Sequence, residues 1–265
     1  MKQKSIVALL VVLFIFSISA CSSEAASALE VYNSALAKNE ELTSLDLNMK
    51  LDMDMVIGEE KVTIASDSAI KMENPAGSNL KMDMKMDMSL SGIADGAATP
   101  EQITMQTYYS DGFYYMNMMG MKVKQAMDLE TINAQAENMT GMEPLPEEIL
   151  KDIKLEQSGD YQILSFTGNG EIMTEYIMSY MGQMKDFVNM SDSQSIAIKE
   201  VSGVFYVNKE GYIDRQEMNI AMNVTVEGES ADMDMKLDII YNQPGKQVTV
   251  QLPDDLDQYQ EIPAQ

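Results

Sequence analysis

The sequence LDLNMKLDMDMVI at residues 45–57 places an apolar residue at every second position, with Asp, Asn and Lys between most of them. The same alternation returns in LKMDMKMDMSL at residues 80–90 and in ADMDMKLDIIY at residues 231–241. A period of two sends successive side chains to opposite faces, so each segment is predicted as a β-strand with one apolar and one charged face. Turn residues separate these segments, which favours antiparallel hairpins.

The remaining segments fill in the predicted fold. Shorter alternating stretches bring the tally to about nine or ten strands, the last of them at residues 248–252. Residues 27–39 and 171–188 carry apolar residues at helical spacing, which predicts amphipathic helices. A sheet with one apolar face must cover that face. The predicted fold class is therefore α+β, with a large curved antiparallel sheet, a half-barrel, and amphipathic helices on its concave face.

The N-terminus has the pattern of a lipoprotein signal peptide. Lys2 and Lys4 precede an apolar run of 13 residues at positions 6–18, which is short for a membrane span. The run ends in ISAC at residues 18–21, which resembles the bacterial lipobox, where a Cys is diacylated after cleavage. The alternative is an ordinary signal peptide with a Cys there by chance, but Cys21 is the only Cys of the chain, which favours the lipobox.

This interpretation sets the expected organisation of the chain. Residues 1–20 are predicted to be the cleaved signal peptide, residues 21–26 the lipid-anchored tether, and residues 27–265 a single domain. Cys21 would hold the protein to the cell membrane through a diacylglyceryl anchor, on the extracytoplasmic face. Two acyl chains give a stable anchor, whereas one chain binds membranes only marginally.

The composition excludes several classes of function. The chain has 42 Asp and Glu residues against 18 Lys and Arg, a net charge of -24, so it is not expected to bind nucleic acid through phosphates. It has no His, so a His-based triad, general base or zinc site is excluded. A single Cys rules out an internal disulfide. We expect a protein that is not an enzyme, with no catalytic residues, no metal site and no cofactor.

A family resemblance is carried by three short motifs. They are DGFYYM at residues 111–116, GMKVK at 120–124, and IYN at 240–242 followed by VTVQLP at 248–253. With the order of predicted elements, they resemble the LolA-like fold of bacterial lipoproteins, which includes LolA and the mycobacterial LppX/LprG group, and above all the LolA-like lipoproteins of Gram-positive bacteria. The resemblance implies a half-barrel that holds acyl chains or a lipid anchor between sheet and helices. LolA is a soluble shuttle, whereas this chain has its own lipobox, so shuttling is not implied.

The 26 Met residues allow more than one interpretation. They can simply pack the core, because Met is a flexible apolar side chain, or they can line an adaptable apolar cavity. Soft thioether ligands for Cu(I) are a third, minor alternative. The second interpretation, with helix residues from 171–188 on the opposite wall, predicts a ligand cavity lined by Met49, Met53, Met55, Met82, Met84, Met86, Met88, Met218, Met222, Met233, Met235, Tyr176 and Tyr180.

Two functions follow as hypotheses. The first is a membrane-anchored lipoprotein that binds a hydrophobic ligand, a lipid or an acyl chain, between sheet and helices. The second is an envelope interaction or sensor lipoprotein, with a filled core and a protein partner that the sequence does not identify. Cavity volume distinguishes them, and periodicity does not determine that volume.

Overall fold

The computed structural model describes residues 20–58, 60–75, 77–92, 102–132, 144–150, 152–183, 194–226 and 229–263. Nearly all of the predicted signal peptide lies outside the described residues. So does the last part of the helix predicted at residues 171–188. The backbone of Cys21 is described, but its side chain is not.

Twelve strands account for most of the described chain. The first six are β1 (Ser44–Ile57), β2 (Glu60–Glu73), β3 (Lys81–Ser91), β4 (Gln102–Ser110), β5 (Phe113–Met118) and β6 (Met121–Ala126). The others are β7 (Lys154–Ser158), β8 (Tyr161–Asn169), β9 (Gln194–Val207), β10 (Ile213–Val226), β11 (Glu229–Tyr241) and β12 (Gln260–Glu261). Three helices are α1 (Ala20–Glu40), α2 (Glu147–Leu150) and α3 (Gly170–Gln183), with a 3-10 turn at Leu256–Gln258.

All twelve strands form one open, curved sheet in the order β12-β6-β5-β4-β3-β2-β1-β11-β10-β9-β8-β7. Neighbours pair antiparallel except β12, which adds two residues parallel to β6 at one edge. In the middle of the sheet β1 pairs with β11, which is distant in sequence. Every other antiparallel pair joins consecutive strands. The predicted fold class is confirmed, with a strand count slightly above the predicted nine or ten.

The register fixes which side chains share a face. Leu47 lies opposite Ile70 on β2 and opposite Tyr241 on β11, so the apolar alternation of three strands falls on one side. We call this side the inner face. The Asp and Lys residues between them fall on the outer face, as in the pair of Asp46 with Lys71.

The helices pack at both ends of the inner face: α1 lies beside the start of β10, and α3 lies beside the first half of β9. α1 begins at Ala20, so the backbone of residues 21–26, the predicted tether, is helical. α2 and α3 pack against β8, and α3 also packs against β9. Side chains cap two helical segments: Asn169 Oδ1 accepts a 2.8 Å hydrogen bond from Glu171 N, and Asp128 Oδ1 accepts one of 2.8 Å from Thr131 N. Within the described ranges, no helix combines the length and apolarity needed to cross a membrane.

The core lies where these helices meet the sheet. Its side chains are almost fully buried and come from both layers: Ala28, Tyr32, Ala35, Leu45, Leu47, Ile70, Met72, Met82, Ile132, Ile149, Leu150, Leu164, Phe166, Phe205 and Ile239. Burial of this kind stabilises the fold by roughly 25 cal/mol for each Å² of apolar surface removed from water. The rows of the inner face nearest α1 are therefore the best packed part of the molecule.

The predicted strand at residues 248–252 is wrong, because the chain runs there without a ladder partner. Its amide groups bond to side chains instead: Val248 N donates to Ser44 Oγ at 3.0 Å, and Val250 N donates to Glu73 Oε1. β6, β7 and β12 were not predicted as strands. Their alternation is weak because they lie at or near the sheet edges, where both faces carry polar residues.

Candidate functional site

The candidate site is the part of the inner face that lies beyond the packed core. We call it the methionine face and define it by nine Met side chains that are partly buried. They are Met49, Met53 and Met55 on β1, Met86 and Met88 on β3, Met105 on β4, Met218 on β10, and Met233 and Met235 on β11. Six of the nine also pack against the core, so the face adjoins the core.

Cross-strand register brings many of these thioethers together in pairs. Met53 lies opposite Met235 and Met55 lies opposite Met233 on the paired strands β1 and β11. Met86 lies opposite Met105 on β3 and β4. Directly opposed residues have Cβ atoms about 4.5–5.5 Å apart, so each pair is in side-chain contact range. The face thus carries two groups of flexible, polarizable side chains, one on β3 and β4 and one on β1, β10 and β11, with β2 between them.

On β1 and β3, burial falls with distance from the end of the sheet where α1 packs. On β3, Met82 is 0% and Met84 is 3% exposed, whereas Met86 and Met88 are only partly buried. β1 follows the same trend, with Leu45 and Leu47 in the core and Met53 and Met55 partly buried. The packed core therefore ends part of the way along each strand.

The predicted cavity residues divide between these two regions. Met82, Met84 and Met222 are buried among core residues and are placed as packing side chains. Met49, Met53, Met55, Met86, Met88, Met218, Met233 and Met235 share the methionine face, as the register requires. Tyr176 is partly buried on α3 against the core, and the side chain of Tyr180 lies outside the described residues. Met105 belongs to the face but was not predicted, although its position opposite Met86 follows from the β3–β4 hairpin.

Ser68 introduces a polar group into this apolar face. It lies between Met49 on β1 and Met86 on β3, and its residue is 5% exposed. Within the described part of the chain, its hydroxyl oxygen has no hydrogen-bond partner. An unsatisfied buried hydroxyl costs about 1–3 kcal/mol. Sequence alternation alone marks Ser68 as inward facing, but only the packing reveals that its hydroxyl is unpaired.

The outer face is built from charge pairs. Arg215 bonds Asp238 through two nitrogens, at 3.0 and 2.9 Å, and also reaches Glu217 at 2.9 Å. Hydrogen bonds from Thr63 and then from Lys61 lower the pKa of Asp54, which is exposed on this face. Among the described residues, Asp and Glu do not gather into a group of three that could hold a metal ion. The outer acids are accounted for as solvated partners of Lys and Arg.

Four pockets among the described residues lie away from the methionine face. One of about 380 Å³ is a depression in the outer face beside Lys50, Asp67 and Asp238. Another of about 310 Å³ lies at the end of the sheet, between Leu80, Tyr109 and the turn at Asp111. The predicted lining residues reach these four pockets only at Met49 and Met218.

The fold has counterparts among solved structures. LprF from Mycobacterium bovis is 11% identical with a TM-score of 0.44, covering 87% of this chain and 98% of that one. The lipoprotein LppX from Mycobacterium tuberculosis is 10% identical with a TM-score of 0.40, covering 85% and 98%. A putative outer membrane lipoprotein-sorting protein domain from Vibrio parahaemolyticus is 9% identical with a TM-score of 0.25, covering 88% and 97%. LppX is one of the proteins named in the sequence resemblance.

The family assignment comes from the sequence. Among curated proteins, none matches this chain. The model of a family of unknown function, DUF6612, matches residues 27–260, which is nearly the whole of the predicted domain. The chain therefore belongs to the family of unknown function DUF6612.

Proposed function

We propose that this protein is a membrane-anchored lipoprotein of the extracytoplasmic face that binds a lipid or acyl chain on its methionine face, without catalysing a reaction. The observation that carries the proposal is the decline in burial along β1 and β3, from a closed core to partly buried Met side chains. A surface of this kind offers apolar area to a ligand beyond the part of the core that the described segment of α1 covers.

The chemistry of Met suits a ligand of variable shape. Its side chain is unbranched, has three rotatable bonds and carries a polarizable thioether, so it repacks around different partners. Each methylene group of an acyl chain that leaves water for this face contributes about 0.8 kcal/mol. Contact with a modest length of chain is therefore enough for stable binding.

Ser68 gives the ligand a polar point of attachment. Its unpaired hydroxyl lies in the row between Met49 and Met86. An ester carbonyl or a carboxyl oxygen of a lipid is the acceptor that such a hydroxyl lacks. Bonding to it would remove the cost of about 1–3 kcal/mol for an unsatisfied group. We therefore place the oxygen-bearing end of the acyl chain near Ser68 and its tail toward Met53 and Met55.

Native mass spectrometry of the protein extracted from membranes in mild detergent tests this proposal. We expect an adduct with the mass of a lipid or fatty acid, which organic extraction removes. The matched variants are Met53→Gln, which adds polarity to the methionine face, and Met119→Gln, which makes the same change at a residue that is 67% exposed in a turn. Met53→Gln should lose the adduct and Met119→Gln should keep it.

Two results would contradict lipid binding on this face. One is a protein that carries no adduct in any preparation and takes up no fatty acid after extraction. The other is an adduct that Met53→Gln and Met119→Gln retain equally, because binding would then lie elsewhere. Ser68→Ala adds a graded test, since it should weaken binding of fatty acids more than binding of alkanes of the same length.

The anchor is a separate proposal with its own experiment. Its support is the lipobox pattern at residues 18–21. Cys21→Ala should move the protein from the membrane fraction to the soluble fraction, whereas Ser22→Ala should not. Labelling with a palmitate analogue should mark the parent protein and Ser22→Ala but not Cys21→Ala. Retention of Cys21→Ala in membranes would defeat the proposal.

A second candidate, a partner-binding lipoprotein with a filled core, is favoured by one specific observation. Three of the residues predicted to line the cavity, Met82, Met84 and Met222, lie in the hydrophobic core and are 0% to 8% exposed. If the methionine face is closed in the same way, the protein takes up no lipid. Crosslinking in the native envelope should then capture a protein through the outer face, where Arg215 and Asp238 lie.

A further inference from the structure

A row of methionines crosses four neighbouring strands at one end of the inner face. Met86 lies opposite Met105, Met105 lies opposite Met118, and Met118 lies opposite Met121. We call these four residues the methionine row. All four share the inner face, since residues directly opposed in adjacent strands project to the same side of a sheet.

Exposure increases along this row toward the β5–β6 hairpin. Met86, Met105 and Met118 are partly buried, and Met121 is 62% exposed. In a strand with alternating faces, the Met side chains of the apolar face usually point into the core, where a metal ion cannot reach them. Met121 differs because it is open to solvent, and Met118 lies beside it.

The turn of the same hairpin has an unusual residue. Met119 and Gly120 have φ angles of +52° and +87°, the signs of a type I′ turn. The preceding hairpin has the same geometry at Asp111 and Gly112, with φ of +53° and +79°, and there Asp suits the left-handed conformation. Met119 has no short polar side chain that favours a positive φ, and at 67% exposed its side chain is not held in place by burial.

We propose that Met105, Met118 and Met121 form a binding site for a soft monovalent cation, Cu(I) or its analogue Ag(I). Thioethers are soft ligands that select Cu(I) over harder divalent metals. Cα atoms of directly opposed residues are about 4.5–5.5 Å apart, and each Met has three rotatable bonds, so three sulfurs from adjacent strands can converge on one ion. The site binds the cation and requires no change in its oxidation state.

The charge of the chain favours arrival of a cation at this site. The net charge of -24 produces a negative potential that raises the local concentration of cations near the protein. The nearest charged groups on β6, Lys122 and Lys124, alternate with Met121 and Val123 and so lie on the outer face. Lys122 is paired with Asp255, and Lys124 with Glu261. The thioethers are thus presented on the face opposite those amino groups.

Titration of the purified protein with Ag(I) tests the proposal, with the Met methyl groups labelled with carbon-13 for NMR. We expect one equivalent of Ag(I) nitrate to shift the methyl signals of Met105, Met118 and Met121 together, before the other Met signals move. Zn(II) at the same concentration should leave them in place. A Cu(I) competition against a calibrated chelator then gives the affinity.

Volume-conserving substitutions supply the controls. Met118→Leu and Met121→Leu should each weaken Ag(I) binding by at least about tenfold, the scale at which even supporting residues of metal sites act. Met178→Leu, at a residue of α3 that is 41% exposed, should leave the affinity unchanged. Leu replaces Met with little change in volume, so the fold is kept.

Any of three results would overturn this site. The first is Ag(I) shifts spread over all exposed Met residues in proportion to exposure. The second is an affinity no better than that of free methionine. The third is equal weakening by Met121→Leu and Met178→Leu. The titration uses delipidated protein, so that a lipid packed over Met105 does not alter Ag(I) binding. Failure of one proposal is then distinguishable from failure of the other, because lipid binding is tested at Met53 and metal binding at Met118 and Met121.

Discussion

Two Met residues on one strand offer the sharpest test of where the core ends. Met84 and Met88 share the inner face of β3, four residues apart, and differ in burial. Met84 is 3% exposed and lies between Ile70 and Thr107, both fully buried. Met88 is partly buried and lies between Ser66 and Ile103, which are partly buried as well. The same substitution should therefore have different costs at the two positions.

We expect Met84→Ala to lower the free energy of unfolding by about 3 kcal/mol and Met88→Ala to lower it by about 1 kcal/mol. Truncation of a buried Met to Ala costs about 2–5 kcal/mol, because transfer energy is lost and a cavity remains. At Met88 less area is withdrawn from water, and the flexible neighbours collapse more easily. For a chain of this size, the melting temperature should fall by roughly 6–12 °C in the first variant and 2–4 °C in the second.

Urea unfolding of delipidated protein, followed by circular dichroism and by tyrosine fluorescence, measures both values. Coincident transitions by the two probes are needed for the two-state treatment. Equal losses at Met84 and Met88 would refute the reasoning, since the methionine face would then be packed as tightly as the core. Repeating the measurement with fatty acid adds a second criterion: a ligand bound on this face should increase the cost of Met88→Ala.

Three further changes test other parts of the structure. Gly203→Ala should destabilise the protein by about 1–3 kcal/mol, because a Cβ there would lie 2.4 Å from a ring carbon of Phe166, and thermal unfolding measures the loss. Met119→Asn should raise the free energy of unfolding by about 1 kcal/mol, because Asn tolerates the left-handed conformation at φ +52°; urea unfolding checks it. Burial raises the pKa of the Asp83 carboxyl above its ordinary 3.8, so the folded state favours the protonated form. The free energy of unfolding therefore falls as the pH rises from about 3.8 through the raised pKa of the folded state. Asp83→Asn should therefore shift the urea midpoint upward at pH 7, with no advantage below about pH 3.8.

The period-two pattern was sufficient to predict the long strands and their faces. In residues 45–57, the alternating apolar side chains were assigned to one side, and the register of β1 with β2 and β11 places them there; Val56, which breaks the alternation, lies on the outer face. Such a pattern is decisive because a slip of one residue would move the whole apolar set to the wrong face. The hairpin turn at Asp111 is encoded in a similarly local way, since Asp-Gly satisfies two positive φ angles.

The burial gradient could not be predicted, because it depends on contacts between distant segments. Met84 and Met88 have the same local pattern of Met between Asp, Lys and Ser. What separates them is the position of the core, in which residues of α1 and α2 pack over one end of the sheet. Edge strands were not predicted because they too depend on pairing with distant segments. β12 is two residues long and is held by pairing with Val123 and Lys124, which no local periodicity encodes.

The proposed lipid site and the proposed cation site share one side chain. Met105 belongs both to the methionine face and to the methionine row, because its strand lies between Met86 and Met118. An acyl chain that packs over Met105 occupies the thioether that the cation needs, and a bound cation fixes the rotamer that the acyl chain needs free. Linkage requires this opposition to be reciprocal, so each ligand must lower the affinity of the other by the same factor. A chain that reaches only Met49, Met53 and Met55 leaves Met105 free and produces no coupling. The size of that factor therefore reports how far across the sheet the ligand extends, from β1 toward the β5–β6 hairpin.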